Sequence, residues 1–234
     1  MVFSDTLKAL QEVTIEGEIV DLEGNPIPEF QGTIFPTVLD KPSEVYTNGN
    51  DGSPKVKFLL YKNPIYKGTV QVDQGTFSFS FIVPKDISYR YGNGRISYYA
   101  KNAATDAAGY DESIIVGGYN NTAIPDENGP AITLYMNDRN FKPEGITDQR
   151  PVLLVDVMDE SGINTVGNCI GHDITAILDN QTTNPIILNE YYVSDLNTFT
   201  SGVITYPLGP LADGYHSLTV KVWDVYNNST EATL

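Results

Sequence analysis

The chain has 234 residues, which is enough for one large domain or two small ones, each with its own apolar core. It is acidic: 14 Lys and Arg stand against 30 Asp and Glu, and the formal net charge at pH 7 is −16. A surface of that sign repels phosphate backbones and anionic lipid, so we expect no nucleic-acid partner. No apolar run reaches the about 18 residues of a membrane-spanning helix, and we expect no membrane span.

The N-terminus, residues 1–5, has neither the basic nor the apolar region of a signal peptide. A trimmed exported protein and a cytosolic protein would both begin in this way. The single cysteine cannot form an internal disulfide, so it does not decide the compartment. Residues 5–10 are the one stretch in which the sequence also allows a short helix.

The first half of the chain shows the alternation of apolar and polar residues that predicts β-strands. In its clearest strand, Phe77, Phe79 and Phe81 share one face and serines occupy the other. Three aromatic rings in register bury much apolar surface, so we expect this face to pack in a core. We interpret residues 43–54 as a long polar loop and residues 102–110 as a small, polar stretch. The predicted strands cover residues 13–19, 32–39, 55–61, 68–72, 76–83, 95–100 and 112–116.

Residues 118–130 are rich in turn formers and lack periodicity, so we place a linker there. Short strands then resume until the end of the chain. The sequence therefore predicts an all-β protein with two tandem immunoglobulin-like or fibronectin-like β-sandwich domains, residues 1–117 and 131–234. The strands predicted in the second domain cover residues 131–136, 152–157, 174–178, 185–188, 200–206 and 215–223.

Cys169 and His172 form the most conspicuous pair of reactive side chains. A catalytic thiolate needs a base within hydrogen-bond reach and usually a helix N-terminus or an oxyanion hole. This pair lies in a Gly- and Asn-rich loop between two predicted strands, so we expect no catalytic residue in the chain. We interpret His172 as an anchor that ties its loop to backbone carbonyls, and His216 as a structural residue of a strand.

Carboxylates gather around the same loop, which raises the question of a metal. Calcium prefers six to eight oxygen ligands from one or two loops, and no EF-hand spacing is present. We interpret these aspartates mainly as turn formers and expect no cofactor, with a structural calcium ion as the alternative. The weak candidate ligands are Asp156, Asp159, Glu160 and Asp173.

Residues 159–179 have the sequence DESGINTVGNCIGHDITAILD. This segment resembles the region that follows the catalytic domain in the PorU family, the type IX secretion sortases among the gingipain-like cysteine peptidases. Further stretches resemble the family in the same order, so the resemblance covers nearly the whole chain. Among them are PTVLDK at residues 36–41, FSFSFIVPKD at residues 77–86 and GPAITLYMND at residues 129–138.

The resemblance implies that this chain is the non-catalytic β part of a longer surface peptidase. The caspase-like catalytic domain would lie upstream and be the main partner, with cargo sorting domains and outer-membrane type IX components as further partners. It also implies a location on the extracellular face of the outer membrane. The chain itself would not be an enzyme, and its modules would position the catalytic domain or dock cargo.

Two other classes of function compete with this interpretation. A carbohydrate-binding or adhesin-type module would use exposed tyrosines, for which Tyr89, Tyr91 and Tyr99 are the candidates. Half-buried sheet tyrosines are the alternative interpretation of the same residues. An independent hydrolase is disfavoured because the sequence shows no converging acid, base and nucleophile.

Overall fold

A computed structural model of the chain describes residues 6–165 and 171–234. In these ranges the structure is built from β-strands, with one short 3-10 helix at Asn189–Tyr191. The predicted all-β fold of β-sandwich domains is therefore confirmed. The helix considered for residues 5–10 is wrong, because Thr6–Ala9 forms a strand that pairs in parallel with a later strand of the same domain. No helix of the described ranges is both long and apolar enough to cross a membrane.

The first module contains thirteen strands in the part of the chain that the structure describes. Its largest sheet has six strands, in the order β7-β4-β11-β3-β8 with β12 also paired to β11. The strands β2 and β9 form a two-stranded ribbon, β5 and β6 form another, and β1, β13 and β10 form a third sheet. In chain order the strands are β1 (Thr6–Ala9), β2 (Glu12–Glu18), β3 (Gly32–Ile34), β4 (Thr37–Leu39), β5 (Ser43–Tyr46), β6 (Lys57–Leu60), β7 (Pro64–Lys67), β8 (Val70–Val72), β9 (Thr76–Ile82), β10 (Gly92–Asn93), β11 (Arg95–Lys101), β12 (Asp106–Asp111) and β13 (Ile115–Tyr119).

Several strands appear where the sequence suggested none, and β5 and β12 are two of them. The stretch expected to be a long loop begins with β5, and the small, polar stretch contains all but the last residue of β12. Each of these strands pairs along its length with one neighbour, β6 and β11 respectively. Backbone pairing can supply the hydrogen bonds of a strand without apolar alternation, and for that reason the sequence pattern did not reveal them.

The aromatic face of β9 packs in the first core, as predicted. Phe81 is fully buried, and its ring stacks on that of Tyr66 from β7 with a centroid distance of 4.5 Å. The ring of Phe79 also stacks with that of Tyr66, at 5.5 Å. Val13 and Ile15 of β2, which pair with Phe81 and Phe79 of β9, point into the same core. Each such side chain contributes about 1.5–3 kcal/mol through burial, so β2 and β9 are held mainly by their inner face.

The second module is a sandwich of two four-stranded antiparallel sheets, in the orders β14-β15-β19-β18 and β17-β16-β20-β21. Its core combines alternate residues of both sheets, among them Leu153, Val155, Ile204 and Val220, all of which are fully buried. The strands are β14 (Ala131–Met136), β15 (Val152–Met158), β16 (Thr175–Leu178), β17 (Ile186–Ile187), β18 (Tyr192–Ser194), β19 (Ser201–Pro207), β20 (Leu218–Trp223) and β21 (Ser229–Thr233).

Candidate functional site

The two modules meet at the side chain of Asp86, in the loop that follows β9. Its Oδ2 accepts hydrogen bonds from Nδ1 of His172 at 2.6 Å and from Nδ2 of Asn164 at 3.3 Å. Its Oδ1 accepts one from Nδ2 of Asn227 at 2.7 Å. All three donors belong to the second module. A nearly buried carboxylate of one module thus collects donors from two separate loops of the other, the one after β15 and the one after β20.

A second set of polar contacts joins the turn between β7 and β8 to the segment between β18 and β19. The backbone N–H of Thr69 donates to Oγ of Ser194 at 2.9 Å, and that of Gln71 donates to Oδ1 of Asn197 at 2.7 Å. The backbone N–H of Asn197 in turn donates to the carbonyl of Thr69 at 2.9 Å. Main-chain atoms of both modules are therefore paired directly with each other.

Apolar side chains also contribute to the interface between the modules. Phe199, from the segment before β19, packs against the core of the first module. Tyr66 and Phe81 from the first module line, with Tyr192 and Val225 from the second, a cavity of only about 20 Å³. Burial raises the pKa of Tyr66 to about 12 and also raises the pKa of Tyr192. The interface is tightly packed, so the modules form a docked pair.

Three carboxylates converge beside this interface: Asp126 from the segment between β13 and β14, Asp159 after β15 and Asp224 after β20. One carboxylate oxygen from each lies within 4.8 Å of the other two. Asp159 and Asp224 are buried, and Asp126 is half-buried. Ser161 donates a hydrogen bond from Oγ to Oδ2 of Asp126. We call Asp126, Asp159 and Asp224 the three-aspartate cluster.

Backbone N–H groups hold the two buried carboxylates of the cluster in place. Oδ1 of Asp159 accepts hydrogen bonds from the backbone N–H of Ser161 at 2.8 Å and of Gly162 at 3.1 Å. Oδ1 of Asp224 accepts from the backbone N–H of Tyr226 at 2.9 Å and of Asn228 at 2.7 Å. Both aspartates close turns in this way, as predicted for Asp159 from the sequence.

Burial dominates the electrostatics of the cluster. Desolvation, together with the neighbouring carboxylates, raises the pKa of Asp159 to about 6, although the two backbone N–H groups oppose this change. Desolvation is also the main cause that raises the pKa of Asp224. Carboxylate oxygens so close together suit either a shared proton or a hard cation such as calcium, and three carboxylates supply only part of the ligand set that calcium prefers.

Of the four predicted ligands, Asp159 alone lies in the cluster. Asp156, in β15, forms a two-pronged ion pair with Arg139, with distances of 2.8 Å to Nε and 2.7 Å to Nη2. Glu160 is exposed, and Asp173 is a half-buried residue whose pKa is raised by desolvation. The two remaining members of the cluster, Asp126 and Asp224, were not singled out, since they lie far from Asp159 in the sequence.

Of the pair that was conspicuous in the sequence, Cys169 lies outside the described residues. His172 contacts Asp86 and the indole ring of Trp223, at a centroid distance of 4.4 Å. It is therefore an anchor, as expected, but it binds a carboxylate of the other module where backbone carbonyls were expected. No local signal in the sequence indicates that partner, which lies 86 residues away.

His216 lies just before β20 and uses both ring nitrogens. Nδ1 lies 2.8 Å from Oδ2 of Asp179, and Nε2 lies 2.8 Å from the carbonyl oxygen of Ala212. Both partners are acceptors, so the imidazole donates from both nitrogens when it is protonated. The Ala212 carbonyl and the Asp179 carboxylate raise the pKa of His216, and the pKa of Asp179 is lowered by His216.

The three candidate tyrosines are exposed but take part in different contacts. Tyr99 stacks on Phe35 with a centroid distance of 6.4 Å, whereas Tyr89 lies 5.8 Å from the ring of Tyr119. Tyr91 is the most exposed of the three. The rings of Tyr99 and Tyr89 therefore have different aromatic partners.

Comparison with known proteins gave matches among solved structures. No protein-family model matches the chain, and a search of curated proteins found no significant match. A marsupial T cell receptor is 10% identical over 98% of this chain and 95% of that chain, but its TM-score of 0.27 is too low to support an argument.

The informative match is dimeric latent PorU from Porphyromonas gingivalis. It has 33% sequence identity and a TM-score of 0.54, and the match covers 97% of this chain. It covers 22% of that chain, so this chain spans about a fifth of the length of the protein it resembles. The β-sandwich fold described above is therefore related to the fold of part of PorU.

Proposed function

We propose that this chain is the non-catalytic accessory β region of a PorU-like surface cysteine peptidase. The observation that carries the proposal is the match to PorU, at 33% identity over 97% of this chain but only 22% of that chain. In the proposed role the two modules position a caspase-like catalytic domain, or dock cargo sorting domains and outer-membrane type IX components. The place of action is the cell surface.

The docked arrangement of the modules supports a positioning role. A region that positions another domain must keep a fixed shape. The interface between the two modules combines the Asp86 hydrogen bonds, the main-chain contacts at Thr69 and the packing of Phe199. Hydrogen bonds and packed side chains that cross an interface restrict the relative motion of the domains that it joins. The two modules of this chain are thus suited to move as one body.

The side chains of the described residues also favour a supporting role over catalysis. The imidazoles of both histidines are engaged, by Asp86 and by Asp179 with Ala212. The buried carboxylates of the three-aspartate cluster are bonded to backbone N–H groups that close turns. A carbohydrate-binding role has weaker support, because two of the candidate tyrosines, Tyr99 and Tyr89, are engaged by Phe35 and Tyr119.

Antibodies raised against this chain test the proposal directly. Antigen captured from the source cells is expected to contain tryptic peptides of a caspase-like cysteine peptidase in the same polypeptide. The antigen should also be degraded when intact cells are treated with a protease. Capture of a separate polypeptide that only lysis exposes would overturn the proposal.

The non-catalytic part of the proposal needs its own experiment. The purified chain is expected to release no product from a mixed peptide library, and Cys169→Ser should leave this result unchanged. The wild-type chain and this variant form a matched pair, since they differ in one side-chain atom. Hydrolysis by the wild-type chain that Cys169→Ser abolishes would show that the chain is itself a peptidase.

A further inference from the structure

A cleft of the first module lies between the ribbon of β2 and β9 and the six-stranded sheet. The cleft has a volume of about 1030 Å³ and is lined by β2 and β9 on one side and by β11 and β12 on the other. Its apolar lining comes from Ile34, Phe77, Tyr98, Ala100 and Ala107. A cleft of this size and character is large enough to hold several side chains.

The strand pairing explains why the cleft is open. Within the described residues, β2 pairs only with β9, and β12 pairs only with β11, so each presents one free edge. The residues of β12 that line the cleft, among them Ala107 and Gly109, are too small to fill it. A further strand beside β2 would cover this part of the large sheet.

One residue that lines the cleft has a polar group without a partner in the described structure. Tyr98 lines the cleft, and its hydroxyl oxygen is buried behind the cleft surface with no hydrogen-bond partner among the described residues. Burial also raises the pKa of Tyr98 to about 12, so the group remains a hydrogen-bond donor near neutral pH. A buried hydroxyl gains most from an acceptor that arrives with a ligand, such as a main-chain carbonyl.

The charges around the cleft restrict what can enter it. Glu12, Glu16 and Glu18 alternate along the exposed face of β2, and Asp73 lies at the rim. The residues that line the cleft include no Lys, Arg or His. A second copy of the chain pairing through β2 would place glutamates against glutamates, which is unfavourable. The charges favour a strand with basic residues on its outer face.

We propose that the free edge of β2 accepts an extended segment of another polypeptide as an added β-strand. Alternate side chains of that segment are apolar and enter the cleft over Phe77 and Tyr98. The intervening side chains are Lys or Arg and lie beside Glu16 and Glu18. This is strand addition, in which main-chain hydrogen bonds give affinity and alternate side chains give specificity. The inference goes beyond the proposed function and does not depend on kinship to PorU.

Binding of synthetic peptides to the full chain tests the proposal. We expect a labelled peptide in which Lys alternates with Val to bind, and a matched peptide in which Glu alternates with Val not to bind. The same Lys-Val peptide with N-methylated backbone amides should lose binding, because it keeps the charges but not the strand hydrogen bonds. Hydrogen exchange should show new protection of the β2 amides when the first peptide is bound.

Variants of the chain separate the cleft from the general acidity of the surface. The double variant Glu16→Lys, Glu18→Lys is expected to weaken binding about tenfold or more. The control Asp51→Lys, Glu144→Lys makes the same change in net charge at exposed positions elsewhere and should have little effect. Ala107→Leu, which fills the cleft without changing charge, should also weaken binding, with circular dichroism as the check that it folds.

Three results would overturn the proposal. Absence of binding by the Lys-Val peptide would mean that the glutamates only protect the edge of β2 from pairing. Equal binding of the N-methylated peptide, or equal loss in the control double variant, would reduce the effect to surface charge. Each of these results leaves the proposed accessory function untouched, since that function is tested by antigen capture.

Discussion

Nδ1 of His172 lies 2.6 Å from Oδ2 of Asp86, and this contact joins the two modules of the chain. The imidazole also contacts the ring of Trp223, at a centroid distance of 4.4 Å. The side chains of Asp86 and His172 are 10% and 23% exposed, so water weakens the contact little. A sequence motif that suggests cysteine peptidase chemistry, Cys169 with His172, thus contains a histidine whose described role is to fasten one domain to another.

Removal of the Asp86 carboxylate should loosen the docked modules. Asp86→Ala leaves the donors on His172, Asn164 and Asn227 without this acceptor in a mostly buried position. We expect a loss of about 2–4 kcal/mol in the free energy of unfolding. Urea denaturation measures it, and Asp51→Ala, which removes an exposed carboxylate, serves as the control. A loss equal to that of the control would show that the contact contributes nothing.

Asn197 is predicted to be sensitive for two separable reasons. Its Oδ1 accepts the hydrogen bond from the backbone of Gln71, and its backbone has a φ of 60°, in the left-handed region. Asn197→Gly removes the hydrogen bond but keeps a residue that readily adopts the left-handed region, and it should cost about 1 kcal/mol. Asn197→Ala also introduces a residue that disfavours this region, and it should cost about 1 kcal/mol more. Thermal denaturation compares the two, and equal melting temperatures would contradict the role of the backbone conformation.

Stability should depend on pH through Asp159. Its folded-state pKa, raised to about 6 from 3.8, means that the folded chain binds this proton more tightly than the unfolded chain. The contribution of Asp159 to stability is therefore present below about pH 4 and is lost as the pH rises through about 6. Asp159→Asn keeps an oxygen for the N–H groups of Ser161 and Gly162. In buffer that contains a metal chelator, we expect the free energy of unfolding of this variant to exceed that of the wild type by about 1–2 kcal/mol near pH 7. Near pH 4 the two values should be similar.

The same pair of proteins distinguishes a shared proton from a cation in the three-aspartate cluster. If calcium raises the melting temperature of wild type but not of Asp159→Asn, the cluster binds the ion. If the wild-type chain has the same melting temperature with chelator and with calcium, a shared proton alone relieves the repulsion between the carboxylates. Asp51→Asn is the control for a general effect of charge, because Asp51 is exposed.

His216 should titrate above the usual range for a histidine. Its raised pKa stabilises the folded chain below the unfolded-state value of 6.5, and this contribution is lost as the pH rises through the folded-state pKa. The lowered pKa of Asp179 adds stability above 3.8, which is lost as the pH falls through its folded-state value. The pair therefore contributes fully between these two reference values. An NMR titration of the wild type and of Asp179→Asn measures this effect, and the variant is expected to lower the pKa of His216.

The strands whose apolar side chains alternate were predictable, because burial of one face dictates a period of two. The predicted strand at residues 131–136 coincides with β14, and that at residues 152–157 is one residue shorter than β15. By contrast, β5 and β12 were missed, since Glu44 and Gly109 belong to strands that expose much of their surface and are held by backbone pairing.

The candidate sites were much less predictable than the strands. The three-aspartate cluster unites Asp126, Asp159 and Asp224 from three distant loops, and a single sequence contains no sign that these loops meet. The cleft beside β2 was also invisible, because it results from a strand that has no described neighbour on one edge. Of the three carboxylates in the cluster, only that of Asp159 was singled out in advance.

The sequence by itself determined the class of structure: acidic, all-β and built from strands that bury alternate side chains, because that pattern is a local property of the chain. Only the tertiary structure decided which charged groups meet. Asp86 reaches His172, and Asp126 reaches Asp224, across distances in sequence that no local rule connects. Burial and electrostatic interaction depend on proximity in space, so the docked interface, the raised pKa of Asp159 and the open edge of β2 exist only in the folded molecule.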